Sequence, residues 1–217
     1  MDNKEILSRI DHTLLKPVST KEQIDALCDE AVENRTASVC VPPCYVGYIR
    51  QHYPDLKICT VVGFPLGYET TAGKIADTLQ CIKDGADEID MVINICEVKN
   101  GNFDFVEDEI RQLRDVTKGK ILKVIIETCY LTEDEKRRLC ACVTDAGADY
   151  IKTSTGFGTA GATVDDIRLF REEIGKNVSI KAAGGIRTAE QAAQFIENGC
   201  DRIGASAVVG DINAKQA

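Results

Sequence analysis

Short runs of β-branched and apolar residues alternate along the chain with longer stretches whose apolar positions recur at helical spacing. The runs that read as strands are Arg9–Thr13, Ala37–Val41, Lys57–Gly63, Glu88–Asn94, Ile121–Glu127, Asp149–Thr153, Val178–Ala183 and Arg202–Gly204. The stretches that read as helices are Lys21–Glu33, Thr71–Asp84, Asp104–Thr117, Glu133–Ala146, Val164–Glu173 and Ala189–Asn198. The gap Pro43–His52 is shorter and has room for one or two turns. Ser19 or Thr20 stands where it can cap the first helix, and Thr132 with Glu135 has the spacing of a capping box. Three helical stretches run into a Gly-x-Asp joint, at Gly85–Asp87, Gly147–Asp149 and Gly199–Asp201, and a strand follows each time. A glycine just past a helix takes the left-handed conformation at little cost.

Alternating strand and helix, with continuous apolar strands, predicts a parallel sheet covered on both faces. Eight such units in 217 residues average about 27 residues each, close to the lower size of a closed barrel. An open doubly wound sheet is the alternative. Its dinucleotide-binding versions carry a Gly-x-Gly-x-x-Gly turn after the first strand, and none follows the first strand here. The expected fold is therefore α/β: a single (β/α)8 TIM barrel with parallel strands, one domain over residues 1–217.

Composition narrows the partners. Lys and Arg total 26 against 35 Asp and Glu, for a formal charge of −9. That balance, without Arg/Lys clusters, argues against nucleic acid. No apolar run approaches a membrane span, and Met1–Glu5 lacks the shape of a signal peptide. Ten cysteines occur without a CxxC pair, so neither a disulfide scaffold nor a zinc site is indicated. Most sit in apolar stretches, as at Cys40 and Cys59, and read as reduced core residues of a cytoplasmic protein.

The candidate chemistry lies on the strands, because barrel enzymes build their sites at the strand C-termini. The fourth strand carries Asp90; the fifth, sixth and seventh carry Lys123, Lys152 and Lys181, each among apolar residues. One such lysine would read as a structural ion pair or an outward-facing side chain. Three on consecutive strands beside an aspartate read as chemistry, since stability gains little from crowded cations. A lysine next to another ammonium, in a desolvated place, is a nucleophile toward carbonyls. Glycine- and hydroxyl-rich turns follow the last three strands: Thr153–Gly158, Gly184–Arg187 and Gly204–Ser206. Turns there cradle phosphate in this fold. Asp11 closes the first strand, where it can anchor a substrate hydroxyl or a lysine. Its neighbour His12 faces the other way by strand alternation. His52 reads as surface, and Glu127 with Thr128 is placed to hold Lys123.

Together these segments resemble the deoxyribose-phosphate aldolase family. The likeness rests on Ile10–Leu15, Glu88–Asn94, Lys123–Thr128, Ile151–Gly156 and Lys181–Arg187, in order, and runs from about residue 6 to residue 209. The resemblance implies a metal-free, cofactor-free class I aldolase that reversibly cleaves 2-deoxy-D-ribose 5-phosphate to D-glyceraldehyde 3-phosphate and acetaldehyde. It implies Lys152 as the Schiff-base lysine, Lys181 as the cation that lowers its pKa, and Asp90 as the acid/base group. Lys123, Asp11 and Thr155 are implied as support, and Cys40 as a strand cysteine near the substrate. Gly156, Gly184, Gly185, Gly204 and Ser206 match the phosphate turns. Family members commonly form dimers, so a homodimer is expected. Three features depart from other members: Phe157 stands where some carry a basic residue, Ala207 follows Ser206 in place of a second serine, and no tyrosine follows Tyr150. Another Schiff-base barrel aldolase and a non-catalytic phosphosugar-binding barrel are the competing readings.

Overall fold

The structure, a computed structural model, describes residues 1–216. Eight strands form a closed barrel in sequence order: β1 (Ile10–Thr13), β2 (Ser38–Val41), β3 (Ile58–Val62), β4 (Glu88–Val92), β5 (Ile121–Ile125), β6 (Tyr150–Lys152), β7 (Ser179–Ala183) and β8 (Arg202–Ala205). Every neighbouring pair is parallel, and β8 closes onto β1 with His12 opposite Ala205. The helices are α1 (Asn3–Leu7), α2 (Lys21–Asn34), α3 (Val46–His52), α4 (Thr71–Asp84), α5 (Ile95–Lys99), α6 (Phe103–Val116), α7 (Glu133–Asp145), α8 (Val164–Glu173), α9 (Ala189–Glu197) and α10 (Val208–Gln216). The (β/α)8 barrel read from the pattern is thus the fold.

The expected capping residues act as such. Thr20 and Thr132 each form a full capping box, with Gln23 and Glu135 respectively. The helices α1, α5 and α10 were not anticipated. Asp2 starts α1 by accepting from the backbone N–H of Lys4 and Glu5. Asn94, expected in β4, instead caps α5. The strand stops at Val92 because buried groups from the helices take its next polar atoms. Lys74 Nζ donates to the Val92 carbonyl at 2.8 Å, and Glu109 accepts from the Asn94 N–H at 3.1 Å. Likewise β5 ends early, because Glu127 adopts a left-handed backbone (φ 54°) that a strand cannot continue through.

The Gly-x-Asp joints share one further task. Asp87, Asp149 and Asp201 each accept, on one oxygen, from an arginine at or near a helix end and from a backbone N–H at the start of the preceding strand. The partners are Arg50 and Ile58, Arg114 and Leu122, and Arg171 and Ile180. Each aspartate therefore ties a helix to two neighbouring strands at the end of the barrel opposite the strand C-termini. There, in this fold, residues serve stability.

The main apolar core lies between the strands and the helices, and includes Ile10, Ile24, Ile49, Ile89, Val124, Ile151, Phe170 and Ile203. The barrel interior is different. Side chains from strands that are not neighbours meet there, and several of them are charged: Arg202 of β8 reaches Glu88 of β4, and Lys181 of β7 reaches Asp90 of β4.

Candidate active site

Asp90 is the hub of this interior. Its Oδ1 accepts from Lys123 Nζ at 2.9 Å and from the Cys59 thiol at 3.1 Å. Its Oδ2 accepts from Lys152 Nζ and Lys181 Nζ, both at 2.7 Å. Lys123 also pairs with Glu88 at 2.5 Å. Lys181 stands 2.5 Å from Oδ2 of Asp11 as an ion pair, and Arg202 pairs with the other oxygen of Asp11 at 2.5 Å. Ser38 donates to that same Asp11 oxygen at 2.8 Å. The three lysines read as candidates are thus all brought to one carboxylate, and all are buried.

The charges of the ion-paired cluster can be counted. Asp11, Glu88 and Asp90 supply three negative charges; Lys123, Lys181 and Arg202 supply three positive ones. Lys152 is the fourth cation of a group that balances without it. A surplus charge away from water is costly. Burial alone would raise the Asp90 carboxyl, but Lys123, Lys152 and Lys181 hold it well below the usual carboxylate range. Burial opposes a proton on Lys181 too, yet Asp11 and Asp90 hold it above the usual lysine range. Lys123 is held up in the same way, by Asp90 with Cys59, Asp11 and Glu88, against burial.

Lys152 differs from its neighbours in one respect: it also lines a cavity of about 330 Å³ at the C-terminal end of the barrel. Thr155, Gly156, Gly184, Gly185, Gly204 and Ser206 line the same cavity. The turns after β6 and β7 are packed backbone to backbone. A Cβ on Gly161 would stand 2.2 Å from the Gly184 carbonyl oxygen, so only glycine allows this approach. Thr155 is fixed from behind: its N–H donates to Glu127 Oε1 at 3.2 Å, and its hydroxyl donates to Glu127 Oε2. Burial pushes the Glu127 carboxyl up, against these hydrogen bonds. Phe157 forms part of the cavity wall and meets Phe64 edge-on, with ring centroids 5.3 Å apart.

Several expectations need correction. Glu127 and Thr128 do not hold Lys123; Glu127 holds Thr155, and Thr128 donates to Asp166 at 3.1 Å. Lys123 lies deeper, where Glu88 and Asp90 reach it. Of the two tasks open to Asp11, the structure shows the lysine: fully buried, it pairs with Lys181, Lys123 and Arg202. Cys59 is not mere core filling, since it touches Asp90 and Lys123. Cys40 lies beside it, packed with Cys59, Val61, Leu15 and Phe64. His12 does face away, toward Glu30 of α2 at 2.8 Å, and His52 is exposed. Glu88 and Arg202 were missed, although Glu88 stands two residues before Asp90 and so shares its strand face.

Two groups gather donor atoms within 4.8 Å of one another: Cys40, Cys59 and Asp90, and Asp11, Cys59 and Glu88. Their carboxylates are already bonded to ammonium or guanidinium groups, a donor set poorly matched to a metal cation.

Comparison with known proteins places the chain in a family. The profile of the DeoC/LacD family aldolases matches residues 5–211. A deoxyribose-phosphate aldolase of Clostridium botulinum is 60% identical over 217 residues, which cover 100% of this chain and 98% of that one. The crystal structure of a putative deoxyribose-phosphate aldolase from Coccidioides immitis superposes with a TM-score of 0.95 at 37% identity, covering 100% of this chain and 88% of the other. The deoxyribose phosphate aldolase of Aeropyrum pernix, described as tetrameric, gives 0.92 at 28% identity, covering 100% and 93%. The protein belongs to the DeoC/LacD family and is an aldolase, a lyase built on a TIM barrel.

Proposed function

We propose that the protein cleaves and forms 2-deoxy-D-ribose 5-phosphate through a Schiff base on Lys152. The observation that carries this reading is the position of Lys152. It is the one member of the ion cluster that lines the cavity, while its ammonium nitrogen shares Asp90 Oδ2 with Lys181. The neutral amine attacks C1 of the open-chain sugar, and loss of water leaves an iminium. The iminium accepts the electron pair of the bond that breaks. The products identify that bond: acetaldehyde carries C1 and C2, so the break falls at C2–C3. The C3 hydroxyl gives up its proton on the Asp90 side as glyceraldehyde 3-phosphate forms. The enamine is then protonated at C2, and water releases acetaldehyde and the free lysine. The iminium supplies the electron sink that a metal ion supplies in other aldolases.

Lys181 is assigned the role of keeping Lys152 in its amine form, and Lys123, Asp11 and Thr155 the role of support. The turns at Gly156, Gly184, Gly185, Gly204 and Ser206 are assigned to the phosphate, with no cofactor required. A cytoplasmic location fits ten free cysteines, and no helix is long and apolar enough to cross a membrane among the described residues. The chain is proposed to act as a single domain in a homodimer, which light scattering measures directly.

The test is borohydride reduction in the presence of acetaldehyde or the sugar phosphate, followed by peptide mapping. A stable adduct on Lys152, absent in Lys152→Met, is expected. An adduct on another lysine, or pyruvate-dependent turnover, overturns the assignment.

A further inference from the structure

We propose that Lys16 provides the positive charge that binds the substrate phosphate and so sets the preference for phosphorylated sugars. This rests on the aldolase reading above and extends it to a residue outside the glycine turns.

The cavity holds two cations and no carboxylate among its lining residues: Lys152 and Lys16. In a chain of net charge −9, that makes it a local anion site. Lys152 is committed to Asp90 and, in the reaction, to C1. The phosphate is on C5, at the other end of the same sugar, so its counter-charge must come from a different residue. Phe157, which also lines the cavity, brings none.

Lys16 is placed for this task by the barrel's closure. The strand β1 lies beside β8, and β8 beside β7. Lys16 follows β1, Ser206 follows β8, and Gly184 with Gly185 follows β7. These three neighbouring strand ends therefore line one continuous arc of the cavity. Gly184 and Gly185 both have left-handed backbones, which turn amide groups toward a bound anion. The backbone of Lys16 is held. Ser19 donates to its carbonyl from both its hydroxyl, at 2.7 Å, and its N–H, at 3.1 Å. Pro17 restricts it to extended conformations. Its side chain is exposed and forms no ion pair among the described residues, so its charge remains for a ligand.

The experiment compares the unaltered chain with Lys16→Gln and Lys16→Arg on 2-deoxyribose 5-phosphate and on unphosphorylated 2-deoxyribose. In Lys16→Gln the preference for the phosphorylated sugar, as a ratio of kcat/KM values, should fall about tenfold, equivalent to ~1.4 kcal/mol. The loss should appear in KM, and Lys16→Arg should restore it. Inorganic phosphate should raise the melting temperature of the unaltered chain more than that of Lys16→Gln. An unchanged preference together with an unchanged phosphate response overturns the role of Lys16. Absence of turnover by the unaltered chain strikes the aldolase reading instead, and the phosphate response then decides the anion site by itself.

Discussion

Lys152 and Lys181 meet at one atom: both ammonium nitrogens lie 2.7 Å from Oδ2 of Asp90. They are also direct register partners on β6 and β7. Only Lys152 reaches the cavity. Lys181 is locked between Asp11 and Asp90, which keep its proton on. A fixed positive charge beside Lys152 therefore opposes a second one. Lys181→Leu removes that opposition and leaves the two carboxylates less compensated. Both changes favour a protonated Lys152, so the acid limb of the pH–rate profile should move to higher pH. An acid limb that stays in place contradicts the role assigned to Lys181.

Asp90→Asn separates Schiff-base formation from turnover. The amide keeps the shape of the hub but cannot take a proton at neutral pH. Turnover should fall by roughly 10²–10⁴, the usual contribution of a positioned acid/base group. Lys152 loses its anionic partner, so its amine form is no rarer, and borohydride should still trap acetaldehyde there. Loss of trapping in a folded Asp90→Asn protein would instead place Asp90 in the attack step.

The ion cluster also fixes how stability depends on pH. Burial opposes it, but the surrounding cations hold the carboxyls of Asp11 and Asp90 far below their ordinary value. A depressed carboxyl adds stability above its unfolded pKa of about 3.9 and loses it as pH falls through the folded value. Lys123 and Lys181 are shifted upward. Their contribution is complete below about 10.4 and is lost as pH rises through their folded values. The cluster should thus leave the urea midpoint flat between about pH 4 and 10. A decline between pH 7 and 5 that disappears in Asp11→Asn would contradict this.

Much of the architecture was legible because it is local. Helix period, the Thr132–Glu135 capping box and the Gly-x-Asp joints are short-range signals, and each appears where the pattern put it. The lysines were legible for a related reason: strand alternation places Asp90, Lys123, Lys152 and Lys181 on inward faces, and closure of the barrel does the rest. The strand ends were less legible. Val92 and Asn94 are claimed by Lys74 and Glu109 from two helices, a long-range arrangement that no local pattern encodes. The misplacement of Glu127 has a similar origin. Its left-handed backbone turns the side chain to Thr155 rather than down the barrel toward Lys123. Lys16 escaped notice because it belongs to no strand or helix; it acquires a setting only when β1 closes against β8.

The pair that ends β4 offers the last prediction. Lys74 and Glu109 are fully buried and 2.9 Å apart, one on α4 and one on α6. Burial shifts each toward neutrality, lowering Lys74 and raising Glu109. Burial therefore outweighs mutual attraction in both, and the pair is a poor source of stability. It is still placed to fix position. Lys74 holds the Val92 carbonyl, Glu109 holds the Asn94 N–H, and Asp90 is two residues upstream of Val92. The stem of Lys74 also packs on Gly63, where an added Cβ would stand 2.8 Å from Lys74 Cε. Removing one partner, as in Glu109→Ala, strands a buried cation and should cost about 3–5 kcal/mol. Replacing both, with Lys74→Met and Glu109→Leu, removes the desolvation cost and should restore most of that loss in urea titrations. The double variant no longer fixes the end of β4, so kcat should fall while borohydride trapping at Lys152 persists. If the double variant instead matches the unaltered chain in kcat, the pair does not position Asp90.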